Sequence, residues 1–370
     1  MSLLSSPNVS EVFVHLGERS YRIWIGVDIL RQLGSVVAGL GRVTLAVVIA
    51  DANVVTPHAE TACDSLREAG VAAELVVVPP GETTKSVETA TTLWRELLRR
   101  RADRKTFVVA VGGGMVGDLA GFVAATYARG VPFFQVPTSL LAQVDSSVGG
   151  KVAVNLPEAK NMVGAFYQPR GVLIDVATLD TLPDREYRSG LAEVVKYGVI
   201  LDEEFFAFLE KHCDALRIRD QKVLPSVVQR CCRLKADVVE KDEREETGLR
   251  AILNYGHTFG HAIESLTGYE EWLHGEAVAV GMICAAKLAE RLGLAPPGLA
   301  DRQQSLLGTL GLPTRLPRVD IPSLLRLMQH DKKAVHGKLR FILPRRIGQV
   351  EVVDNVSTDS VVQVLEEVME

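Results

Sequence analysis

The chain has 370 residues, of which 47% are apolar, enough to form more than one hydrophobic core. Asp and Glu outnumber Lys and Arg by 46 to 41, so the chain lacks the basic character that is typical of nucleic-acid-binding proteins. Its longest apolar runs are too short for a membrane-spanning helix, and its amino terminus does not resemble a signal peptide. The five cysteines show no disulfide or metal-knuckle spacing. We therefore expect a cytoplasmic protein without nucleic-acid or membrane partners.

The first half of the sequence alternates β-rich segments with helix-like segments. Residues 11–15 and 21–25 predict a hairpin. Further segments rich in Val, Ile or Phe predict buried strands, namely residues 43–50, 73–78, 107–111, 133–136 and 172–176. Helical spacing of apolar residues between them is clearest at residues 86–101. Strands that alternate with helices predict a mainly parallel, Rossmann-like sheet covered on both faces.

From about residue 180 onward, the spacing of apolar residues becomes helical. The predicted helices are residues 184–200, 203–213, 223–241, 254–266 and 275–292. A strand pair at residues 339–343 and 349–353 and a capped helix that begins near Ser357 complete the chain. The predicted fold class is therefore α/β plus α. Residues 1–180 form a nucleotide-binding α/β domain, and residues 181–370 form a mainly helical domain for metal and substrate.

A glycine-rich loop follows the strand predicted at residues 107–111. Gly112, Gly114 and Gly117 satisfy the pattern G-x-G-x-x-G, in which glycines let backbone N–H groups approach a pyrophosphate at a helix amino terminus. Alone, the pattern fits a tight strand-to-helix turn equally well. The next predicted strand ends without a carboxylate for a ribose, whereas Asp51 ends an earlier strand. A nucleotide would therefore contact residues from several strands, unless Asp51 is only a helix cap.

Three of the eight histidines lie within eighteen positions of one another. His257 and His261 are one helical turn apart, and His274 begins the next predicted helix. Three protein ligands with one open position are typical of catalytic zinc. The spacing does not decide which histidines are ligands; if His257 and His274 are, His261 is left as an acid/base or substrate contact. Glu193 interrupts an apolar run and is the candidate third ligand, the alternative being an ion pair with Lys196.

At these motifs the sequence resembles the 3-dehydroquinate synthase family of sugar phosphate cyclases. The resemblance covers nearly everything from Asp51 to Gly348. Its strongest parts are residues 112–118, 136–151, 160–164, 190–198, 253–264, 274–276 and 331–333. It implies a lyase of the shikimate pathway that converts 3-deoxy-D-arabino-heptulosonate 7-phosphate into 3-dehydroquinate and phosphate. The implied steps are transient oxidation by NAD, phosphate elimination, re-reduction and an intramolecular aldol closure.

The resemblance also implies roles for individual residues. Its zinc ligands are matched by Glu193, His257 and His274, and cobalt is the other metal that this ligand set could hold. Its NAD contacts are matched by Asp51, Asn53, Glu82, Lys85, Gly114, Met115, Val116, Asp118, Thr138, Ser139, Lys151, Lys160, Thr178 and Leu179. Its substrate contacts are matched by Arg129, Asp145, Lys151, Asn161, Lys196, Lys235, Arg250, Asn254, His261 and Lys332 or Lys333. Within this set, the predicted catalytic residues are Lys151, Lys196, Arg250, Asn254 and His261.

Two further points follow from the resemblance. The family's equivalent of Arg129 reaches the site of a partner subunit, so a homodimer is implied. Residues 240–247 are one residue longer than is usual in the family. This insertion leaves open whether Glu245 or Glu246 fills the family's acidic position.

Three other functions compete with this one. Another sugar phosphate cyclase would use the same NAD and metal on a different sugar, but Lys235, Arg250, Asn254 and His261 match the dehydroquinate pattern. A metal-dependent polyol dehydrogenase of related architecture would release NADH. A regulatory nucleotide-binding protein that has lost catalysis would have no need of intact metal ligands.

Overall fold

The computed structural model describes residues 9–268, 271–330 and 339–369, which form two compact units. The first unit runs to Pro183 and also includes Leu224–Arg244. The second unit contains residues 184–223 and the chain from Glu245 onward. The structure differs from the predicted division in two places. The first segment ends at Pro183 rather than at residue 180, and the segment Leu224–Arg244, expected in the second domain, groups with the first unit.

The described residues contain eleven strands. They are β1 (Ser10–Val14), β2 (Tyr21–Gly26), β3 (Ala46–Asp51), β4 (Ala73–Val78), β5 (Phe107–Gly112), β6 (Phe133–Pro137), β7 (Lys151–Leu156), β8 (Ala159–Phe166), β9 (Gly171–Asp175), β10 (Arg340–Arg346) and β11 (Gln349–Asp354). Seven of them form one sheet in the order β1-β2-β9-β6-β5-β3-β4. Only β1 pairs antiparallel with its neighbour in this sheet. The pairs β7–β8 and β10–β11 are antiparallel hairpins.

Thirteen α-helices lie in the described residues. They are α1 (Leu33–Gly39), α2 (Glu60–Glu68), α3 (Val87–Arg99), α4 (Gly114–Thr126), α5 (Asp184–Leu201), α6 (Glu203–Lys211), α7 (Cys213–Arg217), α8 (Leu224–Lys241), α9 (His257–Leu266), α10 (His274–Arg291), α11 (Leu299–Thr309), α12 (Ile321–His330) and α13 (Thr358–Val368). Side chains cap several amino termini: Ser86 accepts from Thr89 N–H before α3, and Ser357 accepts from Ser360 N–H before α13.

The seven-stranded sheet has an apolar core on each face. Successive strand residues point to opposite faces, so Val48 and Val109 pack in the core on the side of α1 and α2. Their neighbours Val47 and Val108 pack in the core on the side of α3 and α4. Nearly continuous apolar strands are typical of parallel sheets covered on both faces. The predicted fold class is confirmed.

Helix α8 belongs to the first unit because it packs against β1 and against the π-helical turn at Ala142–Ser146. The Arg233 guanidinium donates a 2.7 Å hydrogen bond to the carbonyl of Phe13. The Cys232 thiol lies 3.3 Å from the carbonyl of Gln143, to which it donates. These contacts join residues far apart in the sequence, so apolar spacing alone did not reveal them.

The second unit is arranged around α10. Every residue from Ala277 to Ala289 is buried except Lys287. This helix contacts α5, α9, α11, α13 and β10, which explains why it is apolar on all sides. Because α10 is surrounded in this way, the backbone of its first residue, His274, is held in place within the unit.

Two further observations concern the environment of the chain. No helix in the described ranges combines the length and the apolar character that are needed to cross a membrane. All five cysteines are described, and all five are free thiols. Burial raises the pKa of the Cys232 and Cys284 thiols to about 12, which keeps both protonated and unreactive at neutral pH.

Candidate active site

Helices α5, α9 and α10 of the second unit approach one another closely at glycines. A Cβ atom at Gly275 in α10 would lie 1.8 Å from the backbone oxygen of Ser189 in α5. A Cβ atom at Gly281 would lie 2.1 Å from the backbone oxygen of Gly256, just before α9. No side chain fits at these distances, so both positions require glycine. The Ser189 hydroxyl also accepts a 3.0 Å hydrogen bond from Gly275 N–H, which ties α10 to α5.

These three helices carry a group of candidate metal ligands. Glu193 lies in α5, His257 begins α9 and His274 begins α10. One ligand atom of each residue lies within 4.8 Å of the other two. The Nε2 atoms of His257 and His274 are 3.6 Å and 3.7 Å from the same Glu193 oxygen, Oε1. Two imidazole nitrogens and one carboxylate oxygen fit a catalytic zinc ion that keeps a fourth position open.

The second nitrogen of each imidazole ring faces a hydrogen-bond acceptor. His257 Nδ1 lies 3.1 Å from the carbonyl of Tyr255, and His274 Nδ1 lies 3.3 Å from Oε2 of Glu264. Such acceptors place the imidazole proton on Nδ1 and leave the Nε2 lone pair for a metal. Tyr255 is itself anchored, because its hydroxyl lies 2.8 Å from Oε1 of the buried Gln303.

The two imidazoles differ in their electrostatic surroundings. Burial and the Lys196 ammonium hold the pKa of His257 well below its usual value, so this ring is neutral at neutral pH. Burial also lowers the pKa of His274, but the neighbouring carboxylates of Glu193 and Glu264 outweigh it and raise the pKa to about 10. A metal ion that binds His274 must therefore displace a proton.

Lys196 and His261 lie beside the ligand group without being part of it. The buried Lys196 ammonium pairs with Oε2 of Glu193, so the predicted ion pair and the candidate metal group both involve this carboxylate. The ring centroid of His261 is 5.3 Å from that of His257 and 6.3 Å from that of His274. Spacing alone left three histidines as equal candidates, whereas the structure places His257 and His274 around Glu193.

A 3-10 segment, Leu249–Asn254, precedes α9 and contacts α5. Its Arg250 side chain is buried, and Nε lies 3.8 Å from Oε1 of Glu245. Asn254, at the end of the segment, is half-buried. The segment thus brings a buried guanidinium into the unit that holds the candidate metal ligands.

The glycine-rich loop of the first unit connects β5 to α4. A Cβ atom at Gly112 would lie 2.7 Å from the Val116 side chain, and one at Gly114 would lie 3.0 Å from the Ser146 hydroxyl. The first N–H groups of α4 have no partner within the helix and are oriented to bind an anion. This loop has the local structure that the glycine pattern predicted.

A buried lysine connects three parts of the first unit. Lys85 Nζ lies 2.6 Å from Oδ2 of Asp118 in α4 and 2.5 Å from Oδ1 of Asn161 in β8. Glu82 Oε1 accepts a 2.7 Å hydrogen bond from the Asn155 amide. The structure thus brings together Glu82, Lys85, Asp118 and Asn161, which the resemblance implies for NAD or substrate. Asn155, which the sequence did not indicate, belongs to the same group of contacts.

Other candidate residues lie where the parallel strands end. Asp51 ends β3, and its Oδ1 accepts a 2.9 Å hydrogen bond from Asn53 N–H, so it caps the turn that follows this strand with one of its two carboxylate oxygens. Thr138 follows β6 and donates its N–H to the carbonyl of Gly112 at 2.9 Å. Thr178 follows β9, where its hydroxyl accepts from Gln143 Nε2 at 3.1 Å. The carboxyl ends of parallel strands are the usual place for a nucleotide.

Lys235 and Asp145 form a pair within the first unit. The Lys235 ammonium, on α8, lies 3.0 Å from Oδ1 of Asp145 and 2.7 Å from its backbone oxygen. The lysine is buried and the aspartate half-buried. The predicted division had placed Lys235 in the second domain, and among the candidate residues that the structure describes it alone falls in the other unit.

Comparison with known proteins identifies the family. The family model described as "3-dehydroquinate synthase N-terminal" matches residues 75–189. The model described as "3-dehydroquinate synthase C-terminal" matches residues 190–334. A 3-dehydroquinate synthase of Desulforamulus reducens is 52% identical over 355 residues, which cover 95% of this chain and 98% of that protein. The chain belongs to the 3-dehydroquinate synthase family. The resemblance inferred from the sequence motifs is confirmed.

Solved structures of other cyclases share the fold of this family member. A 2-deoxy-scyllo-inosose synthase, solved with carbaglucose-6-phosphate, NAD+ and Co2+, is 30% identical with a TM-score of 0.89. That match covers 97% of this chain and 100% of the other. A 2-epi-5-epi-valiolone synthase from Streptomyces hygroscopicus subsp. jinggangensis, with NAD+ and Zn2+ bound, is 27% identical with a TM-score of 0.87, covering 96% and 98% of the two chains.

Several residues that the family resemblance implies are exposed in this chain. Lys151, Lys160 and Asn161 all have exposed side chains on the β7–β8 hairpin. Arg129 is exposed as well, with a left-handed φ of 66°. Lys332 and Lys333 lie outside the described residues.

Sequence reasoning missed residues that support the ligand group of this family member. Glu264 was noted only as part of a motif, and Ser189, Tyr255 and Gln303 were not singled out. Helical spacing could have identified Glu264, because it lies one turn beyond His261 on the same face of α9. The contacts of the other three join separate helices or a backbone carbonyl, so no spacing pattern indicates them.

Proposed function

We propose that this chain is a 3-dehydroquinate synthase that acts on 3-deoxy-D-arabino-heptulosonate 7-phosphate and releases 3-dehydroquinate and phosphate. The observation that carries the proposal is the convergence of Glu193, His257 and His274 in a chain half-identical to named members of the family. A relative without catalysis would have no reason to keep three such side chains buried or half-buried together.

We propose that Glu193, His257 and His274 hold a divalent metal ion, zinc or cobalt. When bound, the ion supplies Lewis-acid polarisation of substrate oxygens and a template that orients them. The chain's part is to hold both Nε2 atoms toward the Glu193 carboxylate through acceptors on Nδ1. Lys196 offsets the negative charge of Glu193 in the buried interior.

We propose that the first unit holds NAD at the carboxyl ends of its strands. The cofactor, when bound, supplies a hydride acceptor that is restored within one turnover. The N–H groups at the start of α4 would bind the pyrophosphate, because the first N–H groups of a helix have no partner within the helix. The remaining proposed contacts are Asp51, Asn53, Glu82, Lys85, Asp118, Thr138, Ser139, Lys151, Lys160, Thr178 and Leu179. The solved relatives named above support this proposal, since both contain NAD+.

We propose that cationic side chains bind the two anionic groups of the substrate. Arg250 is the proposed contact of the substrate carboxylate, because a guanidinium can bind a carboxylate through two parallel hydrogen bonds. The Arg250 guanidinium is buried, so water competes little for these bonds. Lys151 and Lys235, with Lys332 or Lys333, suit the remaining negative charge. His261 is the proposed acid or base that moves a proton at an imidazole nitrogen. Further proposed substrate contacts are Asp145, Asn161, Lys196 and Asn254.

We also propose a cytoplasmic homodimer in which Arg129 serves the partner subunit. The exposed position of Arg129 and the five free thiols support this proposal. Sedimentation equilibrium tests the dimer. A mixture of Arg129→Ala and His274→Ala subunits tests the shared site. If Arg129 acts in trans, mixing restores part of the turnover that each variant lacks alone; an inactive mixture contradicts it.

The experiment that tests the function is incubation of the protein with the heptulosonate phosphate, NAD and Zn2+. We expect phosphate and a cyclic product to appear in equal amounts, with no lasting absorbance at 340 nm from NADH. Accumulating NADH would instead indicate a polyol dehydrogenase. Turnover of other sugar phosphates, but not of this one, would indicate a different cyclase.

A further inference from the structure

The two imidazoles of the ligand group are held in different ways. His257 faces the backbone carbonyl of Tyr255, only two residues away, so the backbone just before α9 orients its ring. His274 faces a side chain, the carboxylate of Glu264, at 3.3 Å. The His274 side chain is 30% exposed and that of Glu264 12% exposed, so a specific contact is needed to hold the more exposed ring.

Glu264 is well placed to be that contact. It lies on α9 one turn beyond His261 and two turns beyond His257, and therefore on the same face of the helix. From α9 it reaches across to the first residue of α10. The carboxylate thus couples the helix that supplies one imidazole to the helix that supplies the other.

The chemistry of this contact favours metal binding. A carboxylate that accepts from Nδ1–H fixes the imidazole tautomer and turns the Nε2 lone pair toward Oε1 of Glu193. Its negative charge also makes the imidazole a stronger donor to a cation. A backbone carbonyl, as at His257, supplies the orientation without the charge.

We propose that Glu264 is a positioning residue that orients His274 and sets the affinity of the ligand group for a divalent metal. The inference rests on the metal site of the proposed function and adds a residue that acts through His274. Loss of such a partner typically lowers metal affinity about 10–100-fold.

The test is the Zn2+ dissociation constant, measured by competition with a chromophoric chelator, for wild type, Glu264→Ala and Glu264→Gln. We expect Glu264→Ala to weaken binding by about 10–100-fold. Glu264→Gln keeps an oxygen acceptor but no charge, so its Zn2+ affinity should lie between those of wild type and Glu264→Ala. Glu366→Gln, an exposed carboxylate on α13, is the matched control and should bind like wild type.

Two further measurements keep the test decisive. The visible absorption of the Co2+-loaded protein should change in Glu264→Ala, because the donor geometry at His274 changes. NAD affinity, which belongs to the first unit, should stay constant. If Glu264→Ala binds Zn2+ with wild-type affinity and its Co2+ spectrum is unaltered, the inference is overturned. If Glu264→Ala does not fold, wild-type Zn2+ affinity and an unaltered Co2+ spectrum in Glu264→Gln would overturn it. If wild type itself binds no metal, the proposed function fails instead.

Discussion

The candidate metal-ligand group of the second unit (Glu193, His257 and His274) and the proposed nucleotide cradle of the first unit (the start of α4 and the ends of β3, β6 and β9) are built differently. Each metal-ligand candidate is one side chain with a defined geometry, and helices α5, α9 and α10 are locked together at Gly275 and Gly281. The cradle consists largely of backbone N–H groups at the start of α4 and of residues spread over several strand ends. A single substitution in the ligand group should therefore abolish metal binding. A single substitution in the cradle should lower the affinity for NAD only in part.

The largest effect is expected for His274→Ala. Removing one of three ligands should abolish both Zn2+ uptake and turnover, while leaving the fold and NAD binding unchanged. Metal content of the purified protein, circular dichroism and NAD titration measure the three properties. Full activity in this variant would contradict the ligand assignment.

The second prediction concerns the close approach of α5 and α10. Gly275→Ala would place a Cβ atom 1.8 Å from the Ser189 backbone oxygen, so we expect a loss of about 1–3 kcal/mol in the free energy of unfolding. Metal affinity should fall as well, because the helices must separate. Gly308→Ala on α11 is the matched control, since its Cβ would meet only Thr314 Cγ2 at an ordinary 3.4 Å. Equal stabilities of the two variants would show that the contact is not restrictive.

The third prediction separates substrate binding from cofactor binding. Arg250→Ala removes a buried guanidinium from the second unit, so KM for the heptulosonate phosphate should rise about 10–100-fold, as for loss of a hydrogen-bonded charge. The dissociation constant for NAD should not change. Arg315→Ala, an exposed arginine of the same unit, should behave like wild type. Equal losses for substrate and NAD would count against an anion-binding role.

The smallest effect is expected in the cradle. Lys85→Met removes the ammonium that contacts Asp118 and Asn161, and NAD affinity should fall only about tenfold because the backbone contacts remain. Zn2+ affinity should be unchanged. Lys105→Met, at an exposed position of the first unit, controls for the loss of charge. Complete loss of NAD binding would show that the cradle, too, depends on one side chain.

The regular elements were largely predictable from the sequence. Helices α5, α8 and α10 begin and end within one residue of their predicted bounds, because apolar periodicity and capping residues are local properties. The β7–β8 hairpin was missed, although alternating valines in Lys151–Leu156 precede a short turn. In the sequence analysis, residues of this hairpin were considered only as parts of the family motifs at residues 136–151 and 160–164.

The candidate site was predictable where its chemistry lies close together in the sequence. The three histidines stood out by spacing, and Glu193 by interrupting an apolar run. Support from Ser189 and Gln303 could not be predicted, because these contacts depend on how α5 and α11 pack against other elements. The membership of α8 in the first unit depends on packing in the same way.

The most direct test of the central claim is an anomalous difference map, recorded at the zinc absorption edge, from crystals of the zinc-loaded protein. We expect one strong peak bound by Nε2 of His257, Nε2 of His274 and a carboxylate oxygen of Glu193. A peak bound through His261 in place of either imidazole, or no peak between α5, α9 and α10, would contradict it.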